Sequence, residues 1–256
     1  IPIFGGLKIH TYGVLVALGF LVGMWWVSHE AEQVGEDPRR ATDLVFYIII
    51  AAIVGSRIAH VLLIERDRFL ADPLMIVRIW EGGLVFHGGL VGAVAVSIWY
   101  TRRHGRSFWR YADLFAPAIA LGHSLGRLGC LAAGCCHGAP VAAAHWWTLT
   151  FPPNPQGSAP PGLPLYPTQL IESSGEFLIF LFLVLFRRRL RVPGQLFACY
   201  LFLYGILRFF NEGLRGEETR YYLIGHQWTA AQEISLLAVS AAALLWVWCG
   251  RRRTHG

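Results

Sequence analysis

Between Gly122 and Gly138 the chain reads GHSLGRLGCLAAGCCHG, an apolar helical stretch that ends in a glycine-rich turn. It carries Arg127, the cysteines Cys130, Cys135 and Cys136, and the histidines His123 and His137. A charge surrounded by lipid costs about 3 kcal/mol or more unless it meets a partner, a cavity or a polar ligand. A second arginine, Arg208, sits in another apolar run within LRFFNEGLR, with Glu212 one turn on and Arg215 beyond it. Glu212 at i+4 shares the face of Arg208 and can pair with it. Guanidinium forks match the oxygens of a tetrahedral anion, so two arginines on different helices make a clamp for phosphate. A third run opens with EGGLVFHGGLVG, where His87 lies among Gly82, Gly83, Gly88, Gly89 and Gly92. Its neutral imidazole suits a proton acceptor, while the glycines also fit plain close packing of helices. These residue types point to chemistry on a phospholipid headgroup at the outer face of a membrane.

The elements that would position them are membrane helices. The 256 residues are 55% hydrophobic and only 15% charged, against about 25% charged in soluble domains. About 20 apolar residues cross a bilayer as helix, and seven such runs occur, near 11–29, 41–64, 84–101, 111–130, 168–186, 194–213 and 228–249. No small-residue cleavage pattern follows the first run, so it reads as a retained span. Thirteen of the 22 Lys and Arg fall in clusters after the odd-numbered runs: Arg39 and Arg40; Arg102, Arg103, Arg106 and Arg110; Arg187, Arg188, Arg189 and Arg191; Arg251, Arg252 and Arg253. This alternation places the N-terminus outside and the C-terminus in the cytoplasm. It also argues against nucleic-acid binding despite a net charge of +6, because the charge is not gathered on one face. The expected fold is an all-α integral membrane protein, one transmembrane domain over 1–256 with seven helices. A small external cap is expected from segments 65–83 and 139–166. The second segment is too rich in proline for regular helix, and its patch HWWTLTF (His145 to Phe151) suits a short strand. At the start of the fifth run, YPTQLIES places Gln169 and Glu172 on one face with Glu176 a turn deeper. Arg57 in the second run is a candidate to answer one of these carboxylates, with a structural role preferred.

Six segments in order resemble the prolipoprotein diacylglyceryl transferase family: HTYG (His10 to Gly13), FHGGLVG (Phe86 to Gly92), GRLGCLAAGCCHG (Gly126 to Gly138), YPTQLIES, RFFNEGLR and WTAAQEIS (Trp228 to Ser235). Members are bacterial inner-membrane enzymes that move diacylglycerol from phosphatidylglycerol onto a lipobox cysteine. The resemblance implies seven spans, an external cap, a cavity open sideways to lipid and an active site toward the periplasm. It makes Arg127 and Arg208 ligands of the headgroup phosphate and His87 the candidate base. Tyr12 and Glu212 join them in the catalytic set. Around the substrate it implies His10, Gly88, Gly89, Gly126, Gly138, Gln169, Glu172 and Arg215. The implied partners are phosphatidylglycerol, membrane lipid and the signal-peptide region of a prolipoprotein; no metal or organic cofactor is required, and a monomer is the default.

The likeness breaks at one place. The family signature normally reads GRxGNFxNxExxG, and here Cys130 and Ala133 stand for its asparagines and Cys135 for its glutamate, with Cys136 and His137 following. Four readings of the cysteines stay open: a disulfide, ordinary thiols at a tight turn, a metal site, or a working thiol. The main functional expectation is diacylglyceryl transfer to a lipobox thiol, forming a thioether and releasing glycerol phosphate. The alternatives are a diverged phospholipid-dependent transferase with another acceptor or thiol redox chemistry, and a non-catalytic lipid-binding protein.

Overall fold

A computed structural model of the chain describes residues 2–3, 7–8, 11–154, 157–190, 192–216 and 227–253. Strands β1 (Pro2–Ile3) and β2 (Leu7–Lys8) pair antiparallel. The remaining regular structure is essentially helical: α1 (Thr11–Gln33), α2 (Pro38–Leu63), α3 (Arg66–Ala71), α4 (Phe86–Arg103), α5 (Phe108–Ala133), α6 (Thr168–Phe186), α7 (Gln195–Gly213) and α8 (Ala230–Arg253). The seven long helices fall on the seven apolar runs within a few residues. Five of them, α1, α2, α5, α6 and α8, are long and apolar enough to cross a membrane. Those that fall short carry Arg102 and Arg103 in α4, and Arg208 and Glu212 in α7. Large apolar side chains such as Leu63, Leu185 and Leu244 are more than 70% exposed, a distribution that suits lipid rather than water.

The chain divides into two compact units, Val27–Tyr111 and a second made of Ile1–Trp26 with Ala112–Gly256. In the first, α2 starts where Asp37 accepts the Arg39 N–H at 2.9 Å and Pro38 takes the first turn, whose N–H has no helical partner. It packs on α4 at backbone distance, for a Cβ on Gly88 would collide with Ala59 and the Gly55 carbonyl, and one on Gly89 with Ser56. The Arg57 guanidinium does not answer a carboxylate of α6. It donates to the backbone carbonyls of Met75, Ile76, Arg78, Gly82 and Gly83. A buried arginine satisfied this way organises the segment 65–83, which holds α3 and two 3-10 turns (Pro73–Val77 and Ile79–Glu81).

In the second unit Ala116 and Ala120 of α5, Ile179 and Leu183 of α6, and Leu196 and Tyr200 of α7 form a buried core. Asp113 of α5 accepts the N–H groups of Gly194 and Phe197 at 2.7 and 2.8 Å, supplying the start of α7 with the acceptor that its own Gly194 lacks. Among the described residues of the segment 139–166 there is no helix. His145 to Phe151 forms isolated bridges instead of a strand, Leu149 with Leu165 and Phe151 with Pro161.

Candidate active site

The polar residues of the second unit gather where α5, α6 and α7 meet. His123, Arg127 and Cys130 recur at helical spacing along α5, and Gln169, Glu172, Ser173 and Glu176 along α6, so each set shares a face. All four of the α6 side chains are buried. Arg127 donates from Nη2 to Glu172 Oε1 at 2.7 Å, and Asn211 of α7 donates to Glu172 Oε2 at 2.8 Å. One carboxylate thus ties three helices together. His123 Nδ1 lies 2.8 Å from Glu176 Oε1. On α7, Arg208 Nη1 meets Glu212 Oε2 at 2.7 Å, Arg215 stands 3.8 Å from the same oxygen, and Thr229 donates to Glu212 Oε1 at 3.2 Å. The arginine side chains are 13–15% exposed and their carboxylates at most 3%. Burial at this level demands pairing, and each arginine has a carboxylate partner.

The signature turn is pinned against this network. Gln169 Nε2 donates to the Cys135 carbonyl at 2.9 Å and Thr168 Oγ1 to that of Cys136 at 3.0 Å. The Ala139 N–H reaches the Leu214 carbonyl at 2.8 Å, and Gly138 bridges Arg215. A Cβ on Gly138 would lie 2.5 Å from Tyr166 Cβ and 3.0 Å from the Leu214 carbonyl oxygen, so this glycine is required for close approach. Tyr12 packs against the α5 face one step earlier: a Cβ on Gly129 would come within 3.1 Å of its ring. The three cysteines are free thiols, with their sulfurs within 4.8 Å of one another. Cys136 is drawn below its ordinary thiol value to about 5, chiefly by a hydrogen bond from Cys130 and then by the charges of Arg127 and Arg215, against the opposing effect of burial. Burial pushes Cys135 the other way.

Such an arrangement can hold an anionic headgroup beside paired guanidinium groups. A family model for prolipoprotein diacylglyceryl transferase matches residues 1–248. The chain belongs to the prolipoprotein diacylglyceryl transferase family. A phosphatidylglycerol–prolipoprotein diacylglyceryl transferase of Vibrio vulnificus is 32% identical over 257 residues, covering 98% of this chain and 92% of the relative. One from Bacillus velezensis is 35% identical, covering 98% and 91%. One from Aeromonas salmonicida is 33% identical, covering 97% and 88%.

Of the residues that the family likeness singles out, Arg127, Arg208, Arg215, Glu172, Glu212, Gln169, Gly138 and Tyr12 all lie in the second unit. His87, Gly88 and Gly89 belong to the first. His87 is exposed at the second position of α4, its ring edge-on to Phe86 at 5.7 Å. Gly88 and Gly89 are taken up by the contact with α2, whereas a Cβ on Gly126 would meet nothing within 4 Å. His10 lies outside the described residues. Sequence reasoning missed the roles of His123, Asn211 and Thr229. His123 was signalled by its position one turn before Arg127 on the same face; Thr229 carried no signal beyond its place in WTAAQEIS.

Proposed function

We propose that the chain transfers the diacylglyceryl group of phosphatidylglycerol to the thiol of a lipobox cysteine in a prolipoprotein, forming a thioether and releasing glycerol phosphate. The observation that carries this reading is the state of Arg127. One of its nitrogens is held by Glu172 while its Nε is buried without a partner. An unpaired charged donor in the interior costs free energy that an incoming phosphate oxygen would recover. Arg208 meets Glu212, and Arg215 stands near the same carboxylate oxygen; guanidinium donors gathered this way suit stabilisation of the leaving phosphate as its charge develops. The acceptor thiol has to lose its proton first, since only a few per cent is thiolate near neutral pH; His87 is the group proposed to take it. The thiolate then displaces glycerol phosphate at the glyceryl carbon bearing the phosphoester, with sulfur keeping the electron pair of the lost proton. An apolar cavity of about 500 Å³ among Phe182, Cys199, Phe202, Ala242 and Trp246 suits hydrocarbon rather than headgroup.

The finer topology belongs to the same proposal: seven spans in a bacterial inner membrane, N-terminus outside, C-terminus cytoplasmic, and transfer at the periplasmic face. It rests on the alternating basic clusters. The test is to incubate purified protein with phosphatidylglycerol and a lipobox peptide and to look by mass for the thioether. Wild-type protein should form it, and Arg127→Ala, Arg208→Ala and His87→Asn should each lower the rate at least about 100-fold, the scale of losing a transition-state donor or a general base. Wild-type protein that yields no thioether under conditions where a relative does would overturn the reading.

A further inference from the structure

The three thiols converge for a reason that can be traced residue by residue. Helix α5 ends at Ala133, and Gly134 follows with φ +67°, the left-handed glycine that commonly closes a helix. The closing bonds are both present: Gly134 N–H to the Leu131 carbonyl, and Cys135 N–H to the Cys130 carbonyl, each 3.1 Å. This six-to-one bond places Cys135 over Cys130, where helices usually set a hydrophobic contact. Cys136 would ordinarily point away from its neighbour. Instead it adopts φ +57°, the one non-glycine among the described residues with positive φ. A β-carbon resists that conformation, and such local strain concentrates at functional positions. Among the described residues, this is the one trio of His, Cys, Asp or Glu whose ligand atoms come together, all within 4.8 Å.

We propose that Cys130, Cys135 and Cys136 form a three-sulfur site for a zinc-class d10 cation whose open fourth position takes a thiol. With Zn–S bonds of about 2.3 Å, trigonal geometry puts the sulfurs about 4.0 Å apart, so the thiols need close by less than ~1 Å. Their backbone is already held, through Gln169 to the Cys135 carbonyl and Thr168 to that of Cys136. Three thiolates around a divalent ion leave one negative charge, and Arg127 and Arg215 both act on this turn. Three protein ligands with a vacant fourth position is the arrangement of catalytic rather than structural zinc, and a thiol that coordinates such an ion is deprotonated. The incoming thiol forms an S–Zn bond and gives up its proton to a base; sulfur keeps the electron pair and no oxidant is involved. This last step rests on the transferase reading, because the acceptor there is a thiol; the ion site itself does not. Covalent relay on these cysteines is the poorer account, because a thioether formed on Cys136 is not displaced by a second thiol.

The test uses the full chain in detergent, reduced, stripped with a chelator and loaded with Zn2+, Co2+ or Cu+. One equivalent of Zn2+ should bind, and the Co2+ form should show sulfur-to-cobalt charge-transfer bands that change when a short cysteine peptide is added but not its serine analogue. Cys130→Ser, Cys135→Ser and Cys136→Ser should each weaken binding at least about 100-fold, beyond the usual effect of losing an outer-shell partner, while Cys199→Ser leaves it unchanged. Cys136→Gly relieves the left-handed strain, so it should melt no lower than wild type yet still lose the ion. Binding retained in the triple serine variant overturns the site, as does protein isolated with two of the three thiols joined as a disulfide. Tight Cu+ with no Zn2+ uptake, or cobalt bands indifferent to the peptide, overturns the open thiol-binding position. Thioether formation at equal rates with and without zinc overturns thiol activation but leaves the transferase reading standing; peptide binding to cobalt without any thioether does the reverse.

Discussion

Replacing Glu172 by leucine removes the carboxylate on which three helices converge. Glu172 is 2% exposed and accepts from Arg127 at 2.7 Å and from Asn211 at 2.8 Å. Hydrogen bonds to a charged group contribute about 1.5–3 kcal/mol each, and breaking a buried pair from one side costs about 3–5 kcal/mol because the other charge stays behind. Glu172→Leu should therefore destabilise by about 3–5 kcal/mol. The double variant Arg127→Leu/Glu172→Leu removes the stranded guanidinium too. The Asn211 amide is then left short of one acceptor but keeps the Thr168 carbonyl at 3.3 Å, and His123, whose Nε2 stood 3.6 Å from Glu172, keeps Glu176 at its Nδ1. That leaves a cost of about 1–3 kcal/mol, smaller than either charge-stranding single change. The four proteins, unfolded by denaturant in one detergent, give the coupling directly. A single Glu172→Leu loss under about 1 kcal/mol, or a double loss equal to the sum of the singles within about 0.5 kcal/mol, would refute the buried three-helix tie.

Other consequences can be measured as directly. Gly138→Ala should lower the thermal midpoint, by the about 1–3 kcal/mol typical of overpacking, because its Cβ would sit 2.5 Å from Tyr166. Gly126→Ala, with nothing within 4 Å, should be neutral or stabilising by about 0.5–1 kcal/mol. Arg57→Met should speed hydrogen exchange across 75–83, since five carbonyls lose their shared donor; Arg57→Lys should restore protection only in part, because an ammonium lacks the guanidinium fork. Cys136, drawn to about 5, is thiolate above that pH. Its alkylation by iodoacetamide in chelator-treated protein should stay level from pH 8 down to about 6 and fall only near 5, where an ordinary thiol would have slowed tenfold per unit. Cys135, displaced upward by burial, should react slowly and faster with rising pH; peptide mapping separates the two.

The sequence alone determined the seven long helices and the family, and it singled out the arginines proposed to hold phosphate. Hydropathy and short motifs are properties of neighbouring residues, so they survive without knowledge of packing. Spacing also placed Arg208 beside Glu212, because four residues along a helix share a face. It could not choose the partner of Arg127. That partner, Glu172, is 45 residues away, and Arg57, an equally good candidate by type, is satisfied by carbonyls of its own unit. Which buried charges meet depends on which helix faces pack together, and burial makes that choice costly to leave unmade. The glycine-rich turn that ends α5 was legible as a stop. The left-handed turn at Cys136 was not, because a residue with a β-carbon adopts it only when the surrounding bonds, here those from Gln169 and Thr168, hold the backbone in place.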